Sequence, residues 1–247
     1  MSEEFEDRDL TGAVFWGVLL RNAMFRDVDL TGTRTHHVFI DDVEIDGFVD
    51  GLIVNGVDVT DYVNQHDPWQ PLRGMLRPTS ADDIRTAWAA VRAAWDQTLE
   101  VAETFPEEQR LQRVDGEWSF LETMRHLVFV TDKWFSAPLT SGAFQPLGLP
   151  NSGSVDFPWP GIDSTVSPTY HDVLATRQAQ HDAIDRTLAE LTDAQLDAPV
   201  EVPENGTVAV LDCWHTLLEE EFEHRRYALR DIARLEDGRH VDAPGSP

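Results

Sequence analysis

The N-terminal segment is patterned in fives. Leu10, Phe15, Leu20, Phe25, Leu30, Ile40 and Ile45 are large and apolar. From Phe15 on, a small or short residue stands two places ahead of each: Ala13, Val18, Ala23, Val28, Val38 and Val43. Thr35, preceded by Thr33, is the interruption. A period of five fits neither a helix (about 3.6) nor a strand (about 2). It predicts a solenoid of short strands and turns in which each coil stacks its inward residues on the next. A stack of so few repeats leaves both ends open and in need of covering.

The pattern then changes. Gly51–Val59 reads as two short β runs around Asn55-Gly56, a pair that favours a tight hairpin because both residues tolerate positive φ. Residues 64–78 carry Pro68, Pro71 and Pro78 and read as a linker. Four amphipathic helices follow. The first opens near Thr79-Ser80 and shows the stripe Ile84, Trp88, Val91, Trp95, Leu99. The second opens with a capping box, Ser119 to Glu122, and runs to about Phe135 before Pro138. The third starts at Ser167-Pro168, with the stripe Tyr170, Leu174, Arg177, His181, Ile184, Leu188, Leu191. The fourth begins after Asn205-Gly206 and reaches about Leu235, with the stripe Val210, Cys213, Leu217, Glu220, His224, Tyr227. Four such helices with one long connection, residues 137–166, predict an antiparallel four-helix bundle. That connection, rich in Pro, Gly and aromatics, reads either as a lid or as a passive crossover.

Composition narrows the function classes. The 247 residues include 45 acidic and 19 basic side chains, a formal charge of −26. Such a field disfavours binding to nucleic-acid phosphates and to anionic lipid. No apolar run approaches the roughly 20 residues of a membrane helix, and the acidic start is unlike a signal peptide. One cysteine, Cys213, excludes an intrachain disulfide, so a reducing cytoplasm is the expected location.

The candidate chemistry lies on the fourth helix. Glu220 and His224 are one turn apart on the stripe that faces the core. An unpartnered carboxylate there would cost on the order of 3 to 5 kcal/mol. A divalent cation removes that cost, since carboxylate and neutral imidazole are its common ligands. His126, on the second helix among inward-facing Thr123, Phe129 and Val130, is the best third ligand. His215 stands about 180° from His224 and offers an alternative pairing with Glu219. Two of the three acids Glu219, Glu220 and Glu221 read as a solvated face. Arg177 and His181 line the third helix's stripe, and Arg177 and Arg226 offer guanidinium groups for a carboxylate. Cys213 is a minor alternative as a nucleophile.

Two resemblances follow from these residues. Asp9-Leu10-Thr11-Gly12-Ala13 and Asp29-Leu30-Thr31-Gly32 resemble the pentapeptide-repeat family, which implies a four-sided right-handed β-helix, here of about eight repeats and two coils. Gly116–Leu127, with Trp118-Ser119 seven residues ahead of His126, and Glu220–Tyr227 resemble the DinB-like (YfiT-like) proteins across roughly residues 79–236. The last helix reads His224-Arg225-Arg226-Tyr227 where His-Arg-Gly-Gln is common in that family. The resemblance implies His126, Glu220 and His224 as ligands of one divalent ion, often Zn or Ni. Its His/Glu/His set is similar to that of thiol-dependent maleylpyruvate isomerases.

The expected architecture is therefore α+β and multidomain. A β-helix with a terminal hairpin occupies 1–62, a linker 63–78, a DinB-like bundle 79–240 and a disordered tail 241–247. The expected activity is a metal-dependent thiol S-transferase or isomerase acting on small electrophiles, with Arg177, His181 and Arg226 binding substrate. Mycothiol is favoured over bacillithiol as the thiol, because all basic residues but Lys133 are arginine, as in GC-rich genomes. The alternatives are a non-catalytic metal-binding stress protein and an acidic repeat protein that mimics DNA. A two-coil stack with bare ends also invites contact with a second copy.

Overall fold

A computed structural model of the chain describes residues 5, 8–25 and 28–237. The tail expected at 241–247 lies outside them. The chain divides into two compact units between Asp46 and Gly47.

In the first unit the backbone turns a corner every five residues. Gly12, Gly17, Asn22, Gly32, His37 and Asp42 all have positive φ, at intervals that preserve the sequence period. Main-chain turns close from Leu10 O to Ala13 N and from Leu30 O to Thr33 N, and the Asp9 and Asp29 carboxylates accept from the amides of Thr11 and Thr31. Among the described residues before Gly47 there is no β-strand. The expected solenoid ladder is thus reduced to a series of corners, because so few residues lie between them.

The second unit starts earlier than expected. The hairpin forms as read, β1 (Ile53–Val54) against β2 (Val57–Asp58), with Asn55 and Gly56 both at positive φ. Helix α1 (Thr60–His66) follows. The stretch expected as linker is packed instead: Leu76 is in the core, and buried Arg73 pairs with Asp67 at 2.8 Å. Trp69 meets Phe222 edge-on, so apolar side chains between the prolines tie this stretch to the last helix.

Helix α2 (Ala81–Glu103) is capped by Ser80, which accepts from the Asp83 amide, and buries the predicted Ile84, Trp88, Val91 and Trp95. A single turn, α3 (Glu107–Arg110), leads to α4 (Phe120–Thr131). Both hydrogen bonds of the Ser119/Glu122 capping box are made, and Arg113 clamps the Glu122 carboxylate. The helix does not stop at Pro138. A π-helical turn over 132–136 carries it into α5 (Ala137–Thr140), and the wider turn accommodates the proline ring and its missing N–H.

Helix α6 (Tyr170–Glu190) starts two residues later than read, because Thr169 and Asp172 form a reciprocal capping box. Asn205-Gly206 opens no helix. It lies at the turn between β3 (Pro199–Val202) and β4 (Gly206–Ala209), and α7 (Val210–Asp237) begins after it. Tyr227, placed on the buried stripe by periodicity, is exposed.

The long helices pack as α2 on α7, α4 on α6 and α4 on α7, enclosing one core. Two polar links cross it. Gln180 on α6 donates to Val128 O and to Asp132, which also accepts from the Gln145 amide. Arg177 on α6 donates through Nη2 to both carboxylate oxygens of Glu221 on α7, at 3.0 and 2.8 Å, with side chains 3% and 1% exposed. Burial raises the Glu221 carboxyl above its ordinary range, against the lowering pull of Arg177. Removing one member of such a pair strands the other. Arg177→Met should therefore cost about 3 to 5 kcal/mol in urea unfolding, while the double change Arg177→Met with Glu221→Leu should restore most of that loss. A double variant as unstable as the single one would contradict this view of the pair.

Candidate metal centre

The capping box fixes where α4 begins and so where His126, two turns on, sits. Its imidazole is buried. Nδ1 lies 2.9 Å from the main-chain oxygen of Leu149 in the crossover. A carbonyl only accepts, so Nδ1 carries the proton and Nε2 keeps a free lone pair. That Nε2 is 3.7 Å from Glu220 Oε2. On α7, His224 is one turn beyond Glu220; its Nδ1 donates to Glu220 O at 2.9 Å and lies 3.2 Å from Oε2. The His126 and His224 ring centroids are 4.7 Å apart. One ligand atom from each of the three residues falls within 4.8 Å of the others.

This geometry fits a cation. Donors about 2.1 Å from a tetrahedral centre stand roughly 3.4 Å from one another, and His126 Nε2 and Glu220 Oε2 are 3.7 Å apart. The electrostatics agree. Burial opposes ionisation of Glu220, but contact with the His126 and His224 rings and the charge of Lys133 outweigh it, and the carboxyl stays below its ordinary value. Burial, with His126 beside it, pushes His224 down to about 4, so the ring is a neutral donor at pH 7.

Trp118, adjacent to the helix cap, covers the pair of imidazoles, 4.6 Å from His126 and roughly parallel to His224 at 6.5 Å. The crossover is packed down. Arg125 donates to Leu147 O, the Leu149 amide to Arg125 O, and Phe129, Phe144, Phe157 and Trp159 form one aromatic cluster. Lys133 and Ser154 both meet Glu204 Oε2, at 2.6 and 2.7 Å, which fastens the crossover to the β3–β4 turn. Leu149 and Lys133 were given no part in the site from sequence. A main-chain carbonyl leaves no trace in residue type, whereas Trp118 was visible within the cap motif.

The other predicted residues lie elsewhere. His181 Nε2 accepts from Arg177 Nη2 at 3.3 Å, and its ring sits edge-on to Trp88. Burial and the charges of Arg177 and Arg92 push it down to about 2. Both residues line a cleft of about 330 Å³ with Trp95, Leu99, Met124 and Leu174, to which no member of the triad contributes. Arg226, about 200° around α7 from His224, pairs with Glu223 and lies over Trp69. His215 donates to Pro78 O and Glu219 pairs with Arg77, so the alternative His215–Glu219 site does not form. Of the acidic run only Glu219 is exposed, since Glu221 is wholly buried. Cys213 is buried, and that burial, with Asp212, pushes its thiol up to about 12, which removes it as a nucleophile.

A family model described as the DinB superfamily matches residues 90–228, and eight copies of a pentapeptide-repeat model match residues 5–34. No curated protein and no solved structure matches the chain. No described helix is long and apolar enough to cross a membrane.

The depressed His224 value sets a pH dependence. In metal-free protein the unfolded chain takes up protons near pH 6.5 that the folded His224 refuses until about 4. The stability this neutral ring contributes is therefore complete above 6.5 and lost as pH falls toward 4. Urea midpoints should drop across that window. An imidazole NMR titration should place the His224 midpoint near 4, and a midpoint of 6 or above would contradict the buried neutral ring.

Proposed function

The chain belongs to the DinB superfamily, and on that premise we propose that it is a metal-dependent thiol S-transferase or isomerase acting on small electrophiles. The convergence of His126, Glu220 and His224 from two helices carries this reading. The superfamily includes metal-dependent enzymes, and three protein donors leave positions open for an exogenous ligand, as catalytic sites require. Zn or Ni suits the N, O, N donor set. The ion's contribution when bound is to favour the thiolate form of an entering thiol at neutral pH.

The remaining roles fall to the chain itself. Leu149 holds the His126 tautomer, so Nε2 faces the site without reorganisation. Glu220 is held ionised and brings one negative charge, and imidazole as a ligand brings none. Half of the charge of a divalent ion is thereby left to attract an anionic sulfur. Trp118 shields one side of the imidazole pair from water, while Glu220 and His224 keep 30% and 15% of their side chains open to it. Because Cys213 is inert, the sulfur must come from outside, and mycothiol is the thiol favoured by the arginine-dominated composition. Around this site we read the four long helices as an antiparallel four-helix bundle, and the five-residue corners as a short right-handed β-helix.

Purified protein should contain about one metal ion per chain. His126→Ala and His224→Ala should each lower that content at least about tenfold with the helical circular-dichroism signal kept. Undiminished stoichiometric metal in both variants would reject the ligand set. Mass spectrometry after incubation of metal-loaded protein with mycothiol and a small electrophile should detect a thioether or isomerised product above the uncatalysed rate. Full metal without such a product would leave a binding protein and overturn the thiol chemistry.

A further inference from the structure

The first unit presents an apolar ladder that its own residues leave half open. Its large repeat positions are between 46% (Leu10) and 69% (Ile45) exposed. Val18, Val28, Val38 and Val43, two places ahead, are half open in the same way at 50% to 59%, whereas Val14, Trp16, Leu19, Met24 and Phe39 stand further out, from 79% to 104%. The ladder and the valines two places ahead of it are therefore the more sheltered positions of the unit, and neither set is closed off. In a stacked repeat each inward residue is covered by the turn before it and the turn after it. With about two coils, every inward residue belongs to a terminal one.

We infer that the repeat unit is a self-association module, in which a second copy of this chain stacks its five-residue ladder on the first. The inference stands apart from the metal reading and would survive its failure. Three observations favour a second copy as the occupant. The open surface is periodic, with corners at 12, 17 and 22 and again at 32, 37 and 42, and another segment with the same rise is its natural complement. The open area is sufficient: the seven large positions expose on the order of 800 Å² together, one partner's share of a standard interface. The charge also selects. Residues 1–46 hold eleven acidic and four basic side chains, so phosphate backbones and anionic lipid are repelled.

Like charge also opposes a second copy, and this gives the test its direction. Apolar stacking between two acidic units strengthens as salt screens their repulsion, whereas contact through opposite charges weakens. Sedimentation velocity of the full chain, at about 50 mM and about 500 mM NaCl, should show a monomer–dimer equilibrium that tightens severalfold at the higher salt. Leu20→Asp should weaken the dimer at least about tenfold, and the milder Leu20→Ala by about threefold. Trp16→Ser, on the outer class of positions, should leave it within about twofold. A monomer at all concentrations and both salts would overturn the proposal. So would a dimer indifferent to both Leu20 variants, which would place the contact in the helical unit, or one that dissociates as salt rises.

Discussion

A carboxylate inside a helical core has to be neutralised or it unravels the packing around it, and α7 brings two of them in succession. Glu220 and Glu221 point to different neighbours, and each finds a different answer. Glu221 meets Arg177 across the core, an ion pair made by the chain itself. Glu220 meets the imidazoles of His126 and His224 in place of a guanidinium. Burying both carboxylates is costly enough that the helices around α7 are arranged to serve them, α6 through Arg177 and α4 through His126. The first arrangement holds the fold together, and the second groups three side chains of the kind that bind a cation.

The division of labour continues around the site. Local chain chemistry sets the positions: the Ser119/Glu122 box starts α4, and the i to i+4 spacing pairs Glu220 with His224. Tertiary contacts then set the electronic state, since the crossover's Leu149 oxygen fixes which His126 nitrogen is free. A polypeptide segment without regular structure thus determines the protonation pattern of a helical side chain.

Much of this was legible from sequence. The stripe logic located His126, Glu220 and His224, because a charged or imidazole side chain on an apolar face is an energetic anomaly that periodicity exposes. The same logic failed where a partner cancels the anomaly. Glu221 passed for a surface acid because Arg177 lies 44 positions away and no local rule links them. Arg226 passed for a site residue because a charge near the motif carries no azimuth until it is counted around the helix. Boundaries were missed where two signals compete. At the start of α6, Thr169 outcompeted Ser167 because only Thr169 has an acid three residues on. In the first unit the period was plain and the corners fall where it puts them. Strand pairing was beyond reach, since it depends on how many coils stand on either side.

The contact between Leu149 and His126 is made through the main chain, so the side chain at 149 is free to vary without disturbing it. What must persist is one carbonyl oxygen delivered to one spot by a segment of any suitable length. Relatives with longer or shorter crossovers can retain a working site under this rule while sharing no residue in the loop. Alignments scored on residue identity would then overlook the element that tunes the ligand.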